Sequence, residues 1–361
     1  MQQFADQFAF RPTGSTTAAL IYLLHQISVL LQDNDFVHLI ALDFSKAFDS
    51  VRHHTLLHKF AEFPLPNFLH NWLADYFSNR SHCTKFNGLI SDITTINASI
   101  IQGSGIGPIA YVFNASDLKP LHTVNKIGKY ADDTYLLVGS KNSNSIQSEL
   151  CSIDEWAASN NLKLNTLKSL EMIIRKPRSR KIITTPALTP GIERASSMNI
   201  LGVTLSDVLT FNEHVGHCVA RGMQSIYALR LLRSHGLVGE KLHEVARATL
   251  IAQLVYASPS WWGFLDSESK IRIQSFLNKT VRQGFLPSTF PTFAELCTIA
   301  DDKLFSSIQS DENHVLHQLL PPIKTTGHDL RSRIHNYTIP NCKDTLLRKN
   351  YINRMLYKGT Y

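Results

Sequence analysis

Lys126-Ile127-Gly128-Lys129-Tyr130-Ala131-Asp132-Asp133-Thr134-Tyr135-Leu136-Leu137-Val138 reads as two short strand-like runs joined across Ala131, Asp132 and Asp133. That is the pattern of a β-hairpin with acids at or near its turn. Well upstream, Val37-His38-Leu39-Ile40-Ala41-Leu42 has the length and β-branched content of a buried strand, and Asp43 ends it. A carboxylate at a strand end projects at a sheet edge rather than into a core, so the hairpin is expected to hold Asp132 and Asp133 beside Asp43. Adjacent like charges repel, and keeping three acids together costs stability unless cations neutralise them. Mg²⁺ suits such a set, because it is a hard ion that takes carboxylate oxygens and leaves ligand positions to substrate phosphates. Two such ions about 4 Å apart can activate an attacking hydroxyl and stabilise a leaving pyrophosphate. By itself, Asp-Asp is also common in solvated turns.

The global numbers are compatible with this chemistry. A chain of 361 residues, 43% of them hydrophobic, is long enough for two or three packed subdomains. A net charge of +7 and a pI of about 9.1 favour a polyanionic partner. Arg175-Lys176-Pro177-Arg178-Ser179-Arg180-Lys181 concentrates cations that would track a nucleic-acid backbone, act as an import signal or form a solvated linker. The five cysteines, Cys83, Cys151, Cys218, Cys297 and Cys342, are scattered and odd in number, which argues against a disulfide framework or a zinc ribbon. His214, His217 and Cys218 lack a partner pair at zinc spacing. The apolar run 249–257 is too short to span a bilayer and no compact signal peptide opens the chain, so a soluble intracellular protein of cytoplasm or nucleus, with no membrane partner, is expected.

Six blocks carry a family resemblance. Gln7-Phe8-Ala9-Phe10-Arg11 with Ser15-Thr16 comes first, then Asp43-Phe44-Ser45-Lys46-Ala47-Phe48-Asp49, then Gln102-Gly103-Ser104 with Gly107-Pro108. Tyr130-Ala131-Asp132-Asp133, Asn165 with Lys168-Ser169, and Leu201-Gly202-Val203 complete the series. In this order they resemble the blocks of reverse transcriptases, most closely those of non-long-terminal-repeat retrotransposons of the jockey and CR1 sort. The likeness to the polymerase core covers about residues 1 to 210. Two positions depart from the family pattern: Ala9 stands where a Gly is usual, and Ile101 where a Pro precedes the Gln.

The resemblance implies an α+β fold, the right-hand polymerase palm, with an antiparallel sheet packed on helices. It further implies partial fingers over 1–34, palm over 35–205, a helical thumb over 206–286 and a C-terminal extension over 287–361. Asp43 and Asp132 resemble the two acids that bridge both metals, Asp133 their less tightly held neighbour, and the main-chain carbonyl of Phe44 completes the shell. The ions expected are two Mg²⁺, with Mn²⁺ as the substitute. Phe48 matches the aromatic gate that excludes a 2′-hydroxyl, though Phe is also a common core residue. Gln102 and Gly103 belong to a nucleotide- and template-facing loop, where glycine lets the backbone approach closely. Arg11 matches a fingers residue that positions nucleotide or template, Lys168 the acid that protonates departing pyrophosphate, and Leu201 and Gly202 the primer grip. Lys168 could equally be a solvated surface charge, and Gly202 an ordinary strand-end glycine.

The implied activity is RNA-directed DNA polymerisation, with an RNA template, a DNA primer and deoxynucleoside triphosphates as partners. Sparse fingers sequence before Gln7 suggests an N-terminally truncated copy of a mobile element. The rival reading is a catalytically weak or inert nucleic-acid-binding relic.

Overall fold

The computed structural model of the chain describes residues 4–101, 103–177, 186–324, 335–342 and 344–359. Five strands, β1 (Phe36–Leu42), β2 (Lys126–Tyr130), β3 (Asp133–Gly139), β4 (Leu170–Arg175) and β5 (Glu193–Arg194), form one sheet in the order β2-β3-β1-β4-β5. β2 and β3 pair antiparallel with Tyr130 opposite Asp133, so the chain reverses on Ala131 and Asp132 alone. β4 and β5 run parallel. With helices packed on the sheet, the fold class is α+β, as expected.

The chain divides into two compact units. One comprises Met1–Arg11, Leu39–Glu171 and Ala187–Arg194; the other comprises Pro12–His38, Met172–Pro186 and Ala195–Tyr361. In the first, Leu42, Leu136 and Val138 of the sheet share a core with Leu56 and Phe60 of the helix His53–Ala61 and with Ala110 and Tyr111 of the helix Gly107–Asn114. The helix Ile146–Ser159 adds Ile146, Leu150, Ile153 and Ala157, a stripe at helical spacing. The sequence spacing puts Trp156 on the same face as Ile146, Leu150 and Ile153 of a helix around 143–160; it lies only partly buried and donates its indole N–H to Asp117 at 2.9 Å.

Gly107 and Pro108 open the helix Gly107–Asn114, proline sitting where its missing donor costs nothing. The glycine-rich run 102–108 reads as the opening of a helix that continues to Leu118, but the helix stops at Asn114. The Ala115 and Leu118 carbonyls, which even a helix to Leu118 would leave without intrahelical partners, accept from the Lys129 ammonium at 2.7 and 2.9 Å. Lys129 is 1% exposed and lies 3.3 Å from Asp6 Oδ1, so its charge is both solvated and paired.

The second unit is mostly helical. Ser15 caps the helix Thr16–Asp33 by accepting from Ala18 N, and Thr292 with Glu295 forms a capping box at Phe293–Ser310. From Asn212 onward the sequence pattern turns mostly helical, with helices expected around 213–234, 239–257 and 267–284; Asn212–Ser234 and Ser267–Arg282 match the first and third. The single helix anticipated at 239–257 is broken: Glu240–Ala246 passes into a π turn, Arg247–Ile251, then a short helix ending before Ala257, which adopts a left-handed φ of 49°. Trp261 beyond it is fully buried. A two-stranded ladder, Ser197–Ile200 with Val203–Ser206, turns on Leu201-Gly202. No helix among the described residues is long and apolar enough to cross a membrane.

Candidate active site

Asp43 follows the last residue of β1, and the turn 165–169 is strapped to it. Asn165 N donates to Asp43 O (2.8 Å), Asp43 N donates to Ser169 Oγ (3.2 Å), and that hydroxyl donates to Asn165 O (2.9 Å). Phe44 bridges Leu164, and Ser45 N donates to Lys163 O, which extends the junction. The turn thereby carries Lys168 to the same cavity as Asp43. That cavity, about 470 Å³, is lined by Asp43, Phe44, Phe48, Asp132 and Lys168, together with Ser45, Lys46, Ala47, Asp49 and Asn165. Residues more than a hundred positions apart thus share one wall.

Asp133, the first residue of β3, is exposed and does not line the cavity. It feels its neighbours nonetheless. Desolvation, then Asp132 and then Asp43 push the Asp133 carboxyl up to about 6. Asp132 is raised as well, by desolvation first and by Asp43, against a lowering contribution from a backbone hydrogen bond. Buried Tyr111 and Tyr135 are also raised, by burial and by these two acids.

Carboxylates that hinder one another's ionisation are stabilised by a cation, and their oxygen-only chemistry fits a hard divalent ion. Among the described residues no three His, Cys, Asp or Glu side chains form a cage able to hold a metal alone. An open site, completed by waters and substrate oxygens, is what Mg²⁺ tolerates best.

Phe48 stacks on Tyr111 with ring centroids 4.5 Å apart and an interplanar angle of 22°. Its ring also borders a second cavity of about 290 Å³, lined by Ile101, Gly103, Gly107 and Pro108. Gly103 has a φ of +81° with open space where a Cβ would be, so the turn there uses glycine's freedom. Gln102 lies outside the described residues, as do residues 178–181 of the basic run. Within that run, Arg175 pairs with Asp207 (2.5 Å) and Lys176 with Asp344 (3.2 Å).

Arg11 does not line the acid cavity. Its guanidinium donates to Phe4 O (2.6 Å) and Gln7 O (3.3 Å), and burial lowers its pKa more than Asp6 restores it.

Leu201 and Gly202 belong to the second unit, both at positive φ. Their turn is held by Asn199 Oδ1, which accepts from Gly202 N at 3.1 Å, and by the Tyr256 hydroxyl, which donates to Leu201 O at 3.0 Å. Gly202 and Tyr256 border a cavity of about 570 Å³ with His214, Cys218 and Arg221. Burial lowers His214 to about 4 and raises Cys218 to about 11, with His214 Nε2 and Cys218 Sγ 3.5 Å apart. The sequence reading overlooked Tyr256, and also Ser45, Lys46, Asp49 and Asn165 as cavity residues. The last four lie within or beside blocks it had marked.

Residues 1–205 match the sequence model described as Reverse transcriptase (RNA-dependent DNA polymerase). The chain belongs to the reverse transcriptase family. Among its similar relatives are polymerases of mobile elements in Drosophila melanogaster, in keeping with a LINE-type reverse transcriptase. One is the probable RNA-directed DNA polymerase from transposon BS, 26% identical over 296 residues, covering 76% of this chain and 32% of that protein. Another is the probable RNA-directed DNA polymerase from transposon X-element, 29% identical over 293 residues, with coverages of 76% and 31%. The RNA-directed DNA polymerase from mobile element jockey is 29% identical over 224 residues, with coverages of 58% and 24%. This reverse transcriptase chain therefore spans a third or less of the length of these relatives. Among solved structures, a Candida tropicalis telomerase solved with a fragment of telomeric RNA aligns at 13% identity and a TM-score of 0.45, covering 88% of this chain and 53% of that one.

Proposed function

We propose that the chain extends a DNA primer on an RNA template, joining the primer 3′-oxygen to the α-phosphorus of a deoxynucleoside triphosphate with pyrophosphate as leaving group. The observation that carries this reading is the shared cavity of Asp43, Phe44, Phe48, Asp132 and Lys168 in a chain of the reverse transcriptase family. Asp43, Asp132 and the main-chain carbonyl of Phe44 would hold two Mg²⁺, with Asp133 a looser fourth ligand. When bound, such ions lower the pKa of the attacking hydroxyl and neutralise charge on the phosphates. Lys168, which lines the same cavity as Asp43 and Asp132, supplies a proton to the departing pyrophosphate. Phe48, backed by Tyr111, occupies the volume a 2′-hydroxyl would need and so selects deoxynucleotides.

The partial fingers (1–34), palm (35–205), thumb (206–286) and extension (287–361) are proposed on the same basis. Arg11 and the loop of Gln102 and Gly103 would contact nucleotide or template, and Leu201 and Gly202 the primer end.

The test mixes purified protein with a primed homopolymer RNA, Mg²⁺ and one deoxynucleotide, beside an Asp132→Ala control. Metal-dependent extension that vanishes in the control is expected. Template binding without extension by either protein would instead identify an inert nucleic-acid-binding relic.

A further inference from the structure

Both backbone polar groups of Ala131 are held by one distant side chain. Gln7 is 2% exposed, and its Oε1 accepts from Ala131 N at 3.1 Å while its Nε2 donates to Ala131 O at 3.4 Å. The same oxygen accepts from Phe8 N and Ala9 N, both at 3.0 Å, which pins the amide group in place. The segment itself is docked on β2, because Lys129 N donates to Asp6 O (2.7 Å) and Phe8 N donates to Lys129 O (2.9 Å).

The hairpin needs such a hold. Ala131 lies beyond the last ladder pair, Tyr130 with Asp133, and its residue is only 9% exposed, so water cannot readily satisfy its N–H and C=O. It also sits at a φ of +56°, a conformation that Gly, Asn or Asp tolerates and Ala disfavours. Left alone, an Ala here would relax toward right-handed geometry, and Asp132, the next residue, would be re-aimed.

We propose that Gln7 is a positioning residue that fixes the turn at Ala131 and thereby the reach of Asp132 into the acid cavity. Its functional part rests on the polymerase reading; its structural part is measurable without it.

The test compares wild type with Gln7→Met, which keeps the volume and removes both hydrogen-bonding groups, and with Gln7→Glu, which keeps the oxygen that accepts from Ala131 N and sets a second acceptor oxygen against Ala131 O. Four quantities are read: hydrogen exchange of the Ala131 amide against the β2–β3 ladder amides, Mn²⁺ affinity, and kcat and KM for primer extension. For Gln7→Met, Ala131 exchange should rise about tenfold or more with the ladder amides unchanged. Mn²⁺ affinity and kcat should fall about tenfold, and the KM for primer–template should stay at the wild-type value. For Gln7→Glu, Ala131 amide protection should stay within about threefold of wild type, because a carboxylate oxygen still accepts from its N–H. An equal rise in exchange along the whole ladder, or wild-type turn exchange and Mn²⁺ affinity in Gln7→Met, overturns the proposal. So does loss of Ala131 protection in Gln7→Glu, which decides the matter even if Gln7→Met fails to fold. A wild-type protein that extends no primer, alongside turn-specific exchange in Gln7→Met, would sink the polymerase reading and leave the Gln7 assignment standing.

Discussion

Replacing Glu149 by Gln is expected to loosen the lead-in to the acid-bearing hairpin. The Glu149 side chain is fully buried and accepts from Leu121 N, His122 N and Asn125 Nδ2, each at 2.8 Å, with His122 Nδ1 at 3.0 Å. Asn125 immediately precedes β2, so one carboxylate staples the helix Ile146–Ser159 to the strand that ends at the acids. The replacing amide keeps one oxygen for His122 and Asn125 but turns an NH₂ toward the Leu121 N–H. One charge-assisted bond, ~1.5–3 kcal/mol, is lost and the others drop to neutral strength. The net is about 3 kcal/mol, a large share of a stability of ~5–15 kcal/mol. At ~2–4 °C per kcal/mol, the melting temperature should fall by roughly 6–12 °C.

The pH dependence has a definite sign. Burial alone would push the Glu149 carboxyl up, but its hydrogen bonds from Asn125, His122 and Leu121 outweigh that and leave it below the ordinary carboxylate range. A folded pKa below the unfolded one, ~4.3, makes the contribution fully present above that pH and lost as pH falls through the folded value. Thermal melts followed by circular dichroism should therefore show the widest gap between wild type and Glu149→Gln near neutral pH, narrowing below about pH 4. Coincident melts at neutral pH, or a gap that does not narrow on acidification, would refute the staple.

Phe48→Val should raise ribonucleotide incorporation relative to deoxynucleotide by about tenfold or more, read from single-nucleotide extension; an unchanged ratio would move the gate to another residue. Gly202→Ala puts a Cβ 3.2 Å from Tyr256 Cε1 at a φ of +85°. It should cost about 1–2 kcal/mol in melting experiments and raise the KM for primer–template, whereas wild-type values for both would remove the turn from primer binding. Cys83 and Cys151 are exposed, while burial raises Cys218 to about 11 and Cys297 to about 12. Mass-resolved alkylation at mildly alkaline pH should modify the first two well before the others, and early modification of Cys297 would contradict its burial.

Much of this molecule is written locally. The runs ending at Leu42, Tyr130 and Gly139 alternate or saturate with β-branched and aromatic side chains, so strand and hairpin were legible with their acids attached. The i, i+4 and i+7 spacing of Ile146, Leu150 and Ile153 was likewise legible as a helix. Contacts between distant segments were not. Nothing in the local pattern of Gln7 announces that its amide brackets Ala131, 124 positions away. Lys129 reads as an ordinary strand cation, yet it is buried and donates to the Ala115 and Leu118 carbonyls beyond the helix end. The break at 247–251 was hidden for a similar reason, since a π turn keeps helical composition while shifting the face by one residue. Of the site, residue types and order were legible, but not the turn 165–169 that brings Lys168 to Asp43, because backbone hydrogen bonds leave no signature in side-chain identity.

The central claim is that Asp43 and Asp132 act on the same divalent cations. Mn²⁺ titration followed by water-proton relaxation tests it without requiring turnover, on wild type, Asp43→Asn and Asp132→Asn. Each substitution should weaken binding about tenfold or more, and wild-type binding should itself weaken as pH falls toward 6, where protons compete at the Asp133 carboxyl. Wild-type Mn²⁺ affinity in both variants would contradict the account.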